Sequence, residues 1–446
     1  MKARMLTQST SRLAGWGRQF RPAREVLPEN LLEASRGAVL SRGLGRAYGD
    51  SALPPASRPE VLTTRHADSF VSFDPSTREL RAEAGASLAT INRLFLPRGY
   101  FLPVTPGTQH VTLGGAVAAD VHGKNHHVDG GFGDHVTSLV VRVGDGRVVT
   151  CSRDEHPDLF WATVGGMGLL GHVLEVGVTM RAVPSGMIDE EVTRVDGLDA
   201  FQDALRTAAP RHRYTVGWID CLTRGPSAGR GVLMAGDFSD APGAGTPGPR
   251  ARVPRMPFEL PSWTLGRGTV RAFNAAHFHL HRRGTVRRRV PWESFFYPLD
   301  RLDGWNLMYG ARGFTQDQCV VPERSARVGA ARVMDVLTRR GGASFLCVIK
   351  DCGPEGRGML SFPLAGVSIA LDLPLRDGTQ ALVDALNEEV IAHGGRIYLA
   401  KDSLTRREHF ARMEPRLPAF QEVRRRWDPA GRIKSAQSVR LLGDAP

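Results

Sequence analysis

PVTPGTQHVTLGGAVAADVHGKNHH, residues 103–127, sets a Pro-Gly turn, a double glycine, a small-residue run and a His-Gly-Lys-Asn-His-His cluster in one segment. Glycine lets backbone approach a neighbour closely, and the small side chains leave room for it. The histidines and the lysine place polar chemistry beside that space. The cluster reads either as a metal site or as polar residues lining a pocket. His122 and His126 share a face only on a helix, and Gly123 between them opposes one. No carboxylate or cysteine completes a ligand set, so the pocket is favoured and no metal is expected.

Other glycine loops flank this segment. Upstream, GAVLS reads as a strand running into RGLGRAYGD, which ends at Asp50. Three glycines after a strand can aim successive N–H groups at one point and make an anion nest, and the arginines add charge-assisted contacts. The spacing is not that of the dinucleotide fingerprint, and Ser51-Ala-Leu-Pro-Pro stops any helix. Thr105-Pro-Gly-Thr108 and Leu113-Gly-Gly-Ala116 are further close approaches, followed by Gly165-Gly-Met-Gly168 and Gly171. Any one loop is explained by an ordinary turn. Together they read as backbone laid along a long, flat ligand, and a flavin dinucleotide fits best.

Around these loops the patterns alternate between strand and helix. Residues 60–65 and 69–84 read as short strands about Asp74-Pro75-Ser76. SLATINRLFLPRG has helical apolar spacing and stops at Pro97 and Gly99. Residues 136–152 read as a hairpin, and 158–180 as a short helix, a glycine turn and an apolar strand. SFLCVIKDCG and LSFPLAGVSIALDLPL read as strands, and 379–395 as an amphipathic helix closed by glycine. The class is α+β.

Composition bounds the rest. The chain has 446 residues, 41% hydrophobic and 23% charged, which suits two or three globular domains. No apolar run is long enough to span a bilayer, and the N-terminus shows no secretory h-region. The five cysteines are scattered without a CxxC pair, which suits a reducing, cytoplasmic compartment. A net charge of +12, mostly arginine, reads as a solvated basic surface or as attraction to phosphate groups. The Gly/Pro/Arg-rich stretch 226–289 reads as a mobile loop or as a basic patch for an anionic or lipid partner. Near the C-terminus, Lys401 follows an apolar strand-like run. It reads either as a surface lysine paired with Asp402 or as an ammonium beside a pocket, where it would stabilise an anionic reduced flavin.

These motifs converge on a family. GLGRAYGD (43–50), PVTPGT (103–108), GGAVAADVHGKNHH (114–127) and FWATVGGMGLLG (160–171) resemble the FAD-dependent oxidoreductases of the vanillyl-alcohol oxidase, or PCMH-type, fold. GWN (304–306), YGARGFTQDQCVVP (309–322) and YLAKDS (398–403) make the chain most similar, within that fold, to the decaprenylphosphoryl-β-D-ribose 2′-oxidase family. The resemblance implies an FAD-binding domain split into 1–183 and 396–446, with a substrate-binding domain and its antiparallel sheet at 184–395.

It also implies site roles. Ser41, Arg42, Gly43, Leu44, Gly45, Arg46, Ala47, Tyr48, Gly49, Asp50 and Ser51 would hold the diphosphate. Gly107, Thr108, Thr112, Leu113, Gly114 and Gly115 would run along the cofactor. So would Ala119, Asp120, Val121 and His122, with Gly168, Val173 and Tyr398 adding contacts. Lys401 would be catalytic, and Lys124, Trp218, Gln318 and Lys350 would bind substrate. The first glycine loop holds no histidine, so FAD is expected to be non-covalent.

The implied reaction oxidises the 2′-hydroxyl of a polyprenylphosphoryl ribose for cell-wall arabinan. A quinone or other acceptor would reoxidise the flavin, and a partner NAD(P)H-dependent reductase would complete the epimerisation. Peripheral membrane contact is an associated expectation. The sequence departs from the family pattern at Ser368, Ala370, Phe296-Tyr297 and Met167, which bears on the sugar pocket. An alditol or sugar-lactone oxidase is the alternative within the fold. A basic nucleic-acid-binding protein is the alternative outside it, and no recognition motif supports that reading.

Overall fold

The computed structural model describes residues 5–8, 12–28, 30–241, 243, 245–246 and 252–446. Three main sheets carry the architecture. The first has strands Met5–Gln8, Arg24–Pro28, Glu60–Thr63 and Ser41–Arg42 in that spatial order; the last three run parallel. The second is antiparallel, ordered Phe70–Asp74, Glu79–Glu83, Gly171–Thr179, Val136–Val143, Val148–Ser152. Its members are the strands expected about Asp74 and the hairpin at 136–152. The GAVLS strand shrinks to Ser41–Arg42.

The third sheet is antiparallel throughout and has eight strands. Its order is Thr285–Pro291, Met187–Val195, Gly231–Phe238, Tyr214–Ile219, Cys347–Cys352, Gly366–Pro374, Phe314–Pro322, Arg396–Ile397. Alternation along its strands separates two faces. Ile349, Ile369, Leu371 and Cys319 are buried with Val333, Leu337, Val383 and Leu386 of the helices Ala326–Arg339 and Thr379–Ala392. Trp218, Gln318, Lys350 and Ser368 face a cavity on the opposite side.

Much of 226–289 is regular rather than loop. It contains the strand Gly231–Phe238, the helix Arg267–Leu280 and the edge strand Thr285–Pro291. In the register of the edge strand, Arg287, Arg288 and Arg289 lie directly opposite Glu191, Glu190 and Asp189, with N···O distances of 2.8, 2.6 and 2.7 Å. The arginine run is thus half of a cross-strand charge ladder, and its partners lie a hundred residues away in sequence. Residues 242, 244 and 247–251 of this stretch lie outside the described residues.

Two short helices shape the approach to the cavity. Ser87 caps Leu88–Phe95 through Thr90 N–H (3.0 Å), and Gly99 ends that turn at φ 82°. Thr112 Oγ1 accepts from Gly115 N–H (3.1 Å) and starts Leu113–Ala118, so the double glycine opens a helix rather than forming a turn. A Cβ on Gly114 would come 2.9 Å from Ala84 Cβ, and the glycine lets this helix pack on the second sheet.

Candidate functional site

A cavity of about 730 Å³ lies between the glycine loops of the first third of the chain and the open face of the eight-stranded sheet. Its ionisable wall is strongly biased. Arg46, Lys124, Arg288, Arg301, Lys350 and Lys401 line it, against a single carboxylate, Glu190, which Arg288 pairs at 2.6 Å. Such a wall suits an anionic guest.

The glycine-loop wall is built for close approach. Ser41, Gly43, Leu44, Gly45, Arg46, Ala47, Tyr48 and Ser51 line it, as do Gly107, Thr108, Thr112, Gly114 and Gly115. Ala119, Val121, His122, Gly168, Val173 and Tyr398 continue it. Cβ atoms built on Gly107 and Gly168 would meet no protein atom within 4 Å, so both glycines leave space in the cavity. Arg46 stacks its guanidinium over Trp16 at 4.1 Å, and its Nε is buried with no hydrogen-bond partner. A lined cradle with an unanswered guanidinium donor fits a diphosphate-bearing, flat-ringed cofactor.

Five of the expected cofactor residues shape this wall without lining it. Arg42 turns away to Glu25 (2.8 Å) and to the carbonyls of Ala14 (2.7 Å) and Ala52 (3.1 Å). Asp50 pairs with Arg440 at 2.7 Å. Gly49 lies flat against residue 402, where a Cβ would come 1.8 Å from the Asp402 carbonyl oxygen. Leu113 is in the core. Asp120, at φ 37°, accepts from Gly133 N–H (2.9 Å) and from Ser361 Oγ. Its burial pushes its carboxyl up to about 6.

On the sheet wall, His122 is the hub. Lys350 Nζ donates to His122 Nδ1 at 2.6 Å and to the Gly123 carbonyl at 2.9 Å. Burial, then Lys350, His126 and Lys401, hold the imidazole pKa well below its ordinary value, so the ring is neutral. A neutral ring accepting at Nδ1 carries its hydrogen on Nε2. That hydrogen faces the Gln318 side-chain amide 3.0 Å away, and the amide orientation that satisfies it turns the carbonyl oxygen to His122. Tyr398 and Phe362 flank the ring at 5.0 and 5.3 Å. His126 lies elsewhere, accepting from Gly353 N–H at 3.1 Å, and Asp134 and His135 serve the neighbouring turn. Among the described residues no cluster of three or more His, Cys, Asp or Glu could hold a metal ion.

Lys401 Nζ lies 3.6 Å from the centre of the Tyr48 ring, with no carboxylate at ion-pair distance among the described residues. Asp402 instead pairs with Arg440 at 2.9 Å. Burial pushes the Lys401 amine down to about 8, with the Asp372 charge opposing. Asp372 is held by Tyr309 Oη (2.9 Å) and Gln316 Nε2, and burial raises its carboxyl to about 6. Lys124 donates to the Phe296 carbonyl (3.0 Å), and burial lowers its amine to about 8 as well. Trp218 is fixed by its indole N–H to the Phe345 carbonyl at 2.9 Å. Among the departures, Ser368 Oγ lies 3.4 Å from the same Gln318 amide atom that faces His122, and Ala370 leaves a bare wall. Tyr297 is buried between Asn92 and Thr105, away from the cavity.

Sequence reasoning missed Trp16, Gln316, Asp372 and the Glu190–Arg288 pair. Polar residues at alternate positions of FTQDQ and an aspartate inside SIALDL were the available signals. Trp16 carried none, because its contact with Arg46 is made only by the fold.

The loops and their cavity define a PCMH-type flavin-binding oxidoreductase fold. Residues 30–152 match the FAD binding domain family. The decaprenylphosphoryl-β-D-ribose oxidase of Mycolicibacterium smegmatis is 34% identical to this chain, covering 97% of it and 98% of that protein. A Streptomyces coelicolor protein from the mprA 5′ region is 35% identical over 80% of this chain and 99% of its own length. The D-arabinono-1,4-lactone oxidase of Yarrowia lipolytica is 26% identical over 51% of this chain and 44% of its own. The chain belongs to the decaprenylphosphoryl-β-D-ribose oxidase family of FAD-dependent oxidoreductases.

Proposed function

We infer that this protein oxidises the 2′-hydroxyl of a polyprenylphosphoryl-β-D-ribose to the 2′-keto sugar. One observation carries the reading: Lys401, Lys350, His122 and Gln318 meet in one cavity whose other wall is the glycine cradle. FAD, when bound along that cradle, supplies the two-electron acceptor. The chain 1–183 with 396–446 forms its bed, and 184–395 supplies the substrate wall.

The side chains divide the remaining work. Lys401 Nζ, with its pKa near 8, has a neutral fraction at physiological pH and takes the hydroxyl proton there. Lys350 and Gln318, oriented by His122, hold the sugar oxygens. Lys124, with Arg288 and Arg301 on the lining of the same cavity, attracts the phosphate, and the Trp218 face gives the sugar an apolar platform. The cofactor is held without a covalent bond. The first loop offers no histidine or cysteine, no cysteine among the described residues lines the cavity, and of its histidines His122 is engaged at both ring nitrogens while His277 and His281 belong to the end of the helix Arg267–Leu280 and the residue after it. The 2′-keto product requires a hydride from a second, NAD(P)H-dependent enzyme to complete an epimerisation, and a quinone-type acceptor restores the oxidised flavin.

Anaerobic bleaching of the flavin absorbance tests this directly. Prenylphosphoryl ribose should bleach it, and free alditols and sugar lactones should not. Bleaching by a water-soluble polyol alone would move the assignment to a sugar-alcohol or lactone oxidase. Acid precipitation should release the flavin into the supernatant.

A further inference from the structure

Five of the twelve large, exposed hydrophobic side chains among the described residues fall between 253 and 280: Val253, Phe258, Trp263, Phe273 and Leu280. The helix Arg267–Leu280 organises them. Its inner stripe, Val270, Asn274 and Phe278, is buried. Asn274 Nδ2 pins that stripe to the sheet, donating to Asp220 Oδ1 (3.0 Å) and the Ser344 carbonyl (3.3 Å).

The helix carries a second apolar stripe on its outer side. Phe273, Ala276 and Leu280 repeat at helical spacing and are exposed, Leu280 at 81%. Trp263, at 70%, stands in the turn that precedes the helix. A soluble surface helix has one apolar face to bury; this one has two, and among the described residues the inner one is buried while the outer one, with Phe273 edge-on to Phe345, stays exposed.

Charge surrounds the exposed stripe. Residues 260–284 hold Arg267, Arg271, Arg282 and Arg283 and no aspartate or glutamate. None of these four arginines makes an ion pair among the described residues. The arginines of the neighbouring edge strand, by contrast, are neutralised by the acidic strand beside them. The same helix borders the cavity, because Phe273, His277 and the following His281 line it.

We propose that the outer face of Arg267–Leu280, with Trp263, docks the protein on an anionic phospholipid bilayer and opens the cavity toward the lipid. Apolar side chains ringed by unpaired arginines match the boundary between acyl chains and anionic headgroups. The proposal rests on the polyprenyl-phosphate substrate reading: a prenyl chain that stays in the bilayer then passes Phe273 as its sugar enters. A second copy of the chain is the competing occupant of the face, but four uncompensated arginines on each copy would repel one another there.

The test is co-sedimentation of the FAD-loaded full chain with vesicles. Vesicles of equal parts phosphatidylglycerol and phosphatidylcholine should carry the protein down, and pure phosphatidylcholine should hold it about tenfold less well, with binding to the anionic vesicles weakening as salt rises. Trp263→Ser with Leu280→Ser should cut partitioning to the anionic vesicles roughly tenfold or more, the loss expected for two large apolar groups. Neither residue lines the cavity, so flavin content and turnover of a short-chain, water-soluble prenylphosphoryl ribose should be retained. Wild-type protein that stays in the supernatant, or a double variant that sediments like wild type, overturns the proposal. So does a dimeric wild type that the double variant makes monomeric, which would assign the face to a second copy. Failure of the substrate reading shows separately, as absence of turnover with every prenylphosphoryl ribose whatever the vesicle result.

Discussion

Lys350 Nζ reaches His122 Nδ1 at 2.6 Å across 228 residues of sequence. The contact joins the open face of the eight-stranded sheet to the end of the glycine segment, with Lys350 buried and His122 half-buried on the cavity wall. Burial lowers the pKa of each, so a charged lysine needs the neutral imidazole as its acceptor. His122→Ala leaves Lys350 only the Gly123 carbonyl. A lost hydrogen bond to a buried charge costs about 1.5–3 kcal/mol. We expect kcat/KM for prenylphosphoryl ribose to fall roughly tenfold to a hundredfold, and an unchanged value would remove His122 from the substrate wall.

Lys401→Ala should keep FAD bound, because the amine rests on Tyr48 rather than on a structural partner. Substrate-driven bleaching should slow by about 10²–10⁴, the usual range for a lost general base. Stopped-flow absorbance reads this, and normal bleaching rates would exclude Lys401 from the chemistry.

The pH profile gives the sense of that role. With burial holding the Lys401 amine near 8, its neutral fraction grows as pH rises toward 8. The rate of flavin reduction should climb across that range and then level, and Lys401→Ala should abolish the limb. A rate that instead declines through pH 8 would assign the work to the ammonium form.

Asp317 predicts a pH effect on stability. It sits on strand Phe314–Pro322 between the cavity-facing Gln316 and Gln318, with Oδ1 buried and unpartnered. Burial, then Asp402, raises its carboxyl to about 7 from an ordinary value of 3.8. The folded state therefore binds more protons than the unfolded state between about pH 4 and 7, and its stability contribution falls as pH rises through that window. Asp317→Asn should flatten this slope and raise stability by about 1–3 kcal/mol above pH 7. Thermal melts of both proteins at mildly acidic and mildly alkaline pH compare the two slopes.

Two glycines separate cradle from scaffold. Gly107→Phe places a side chain where no protein atom stands, so the melting temperature should hold while flavin absorbance of the purified protein drops. Gly49→Ala drives a methyl into the Asp402 carbonyl and should cost about 1–3 kcal/mol of stability. The reverse pattern would exchange their roles.

Much of this was legible in order along the chain. The hairpin at 136–152, the helix at 88–95 and the long helix at 379–392 follow from local periodicity and capping, which short-range physics decides. The glycine spacings and the HGKNHH and YLAKDS motifs carried the flavin and the family. The arginine run at 287–289 misread as loop, because the acidic strand that neutralises it lies far upstream.

The sequence by itself determined the elements, the cofactor class and the residue types of the site, since backbone freedom and side-chain chemistry are local properties. Only the tertiary structure decided that Arg42 and Asp50 brace the loop while Arg46 faces the cavity. It alone made His122 an acceptor for Lys350, left Lys401 with no carboxylate at ion-pair distance among the described residues, and gave Arg267–Leu280 a second, exposed apolar face. Each of these depends on contacts between segments apart in the chain, from Arg42 with Glu25 to Asp50 with Arg440. Burial, and with it protonation state and exposure, belongs to that packing rather than to any stretch of sequence.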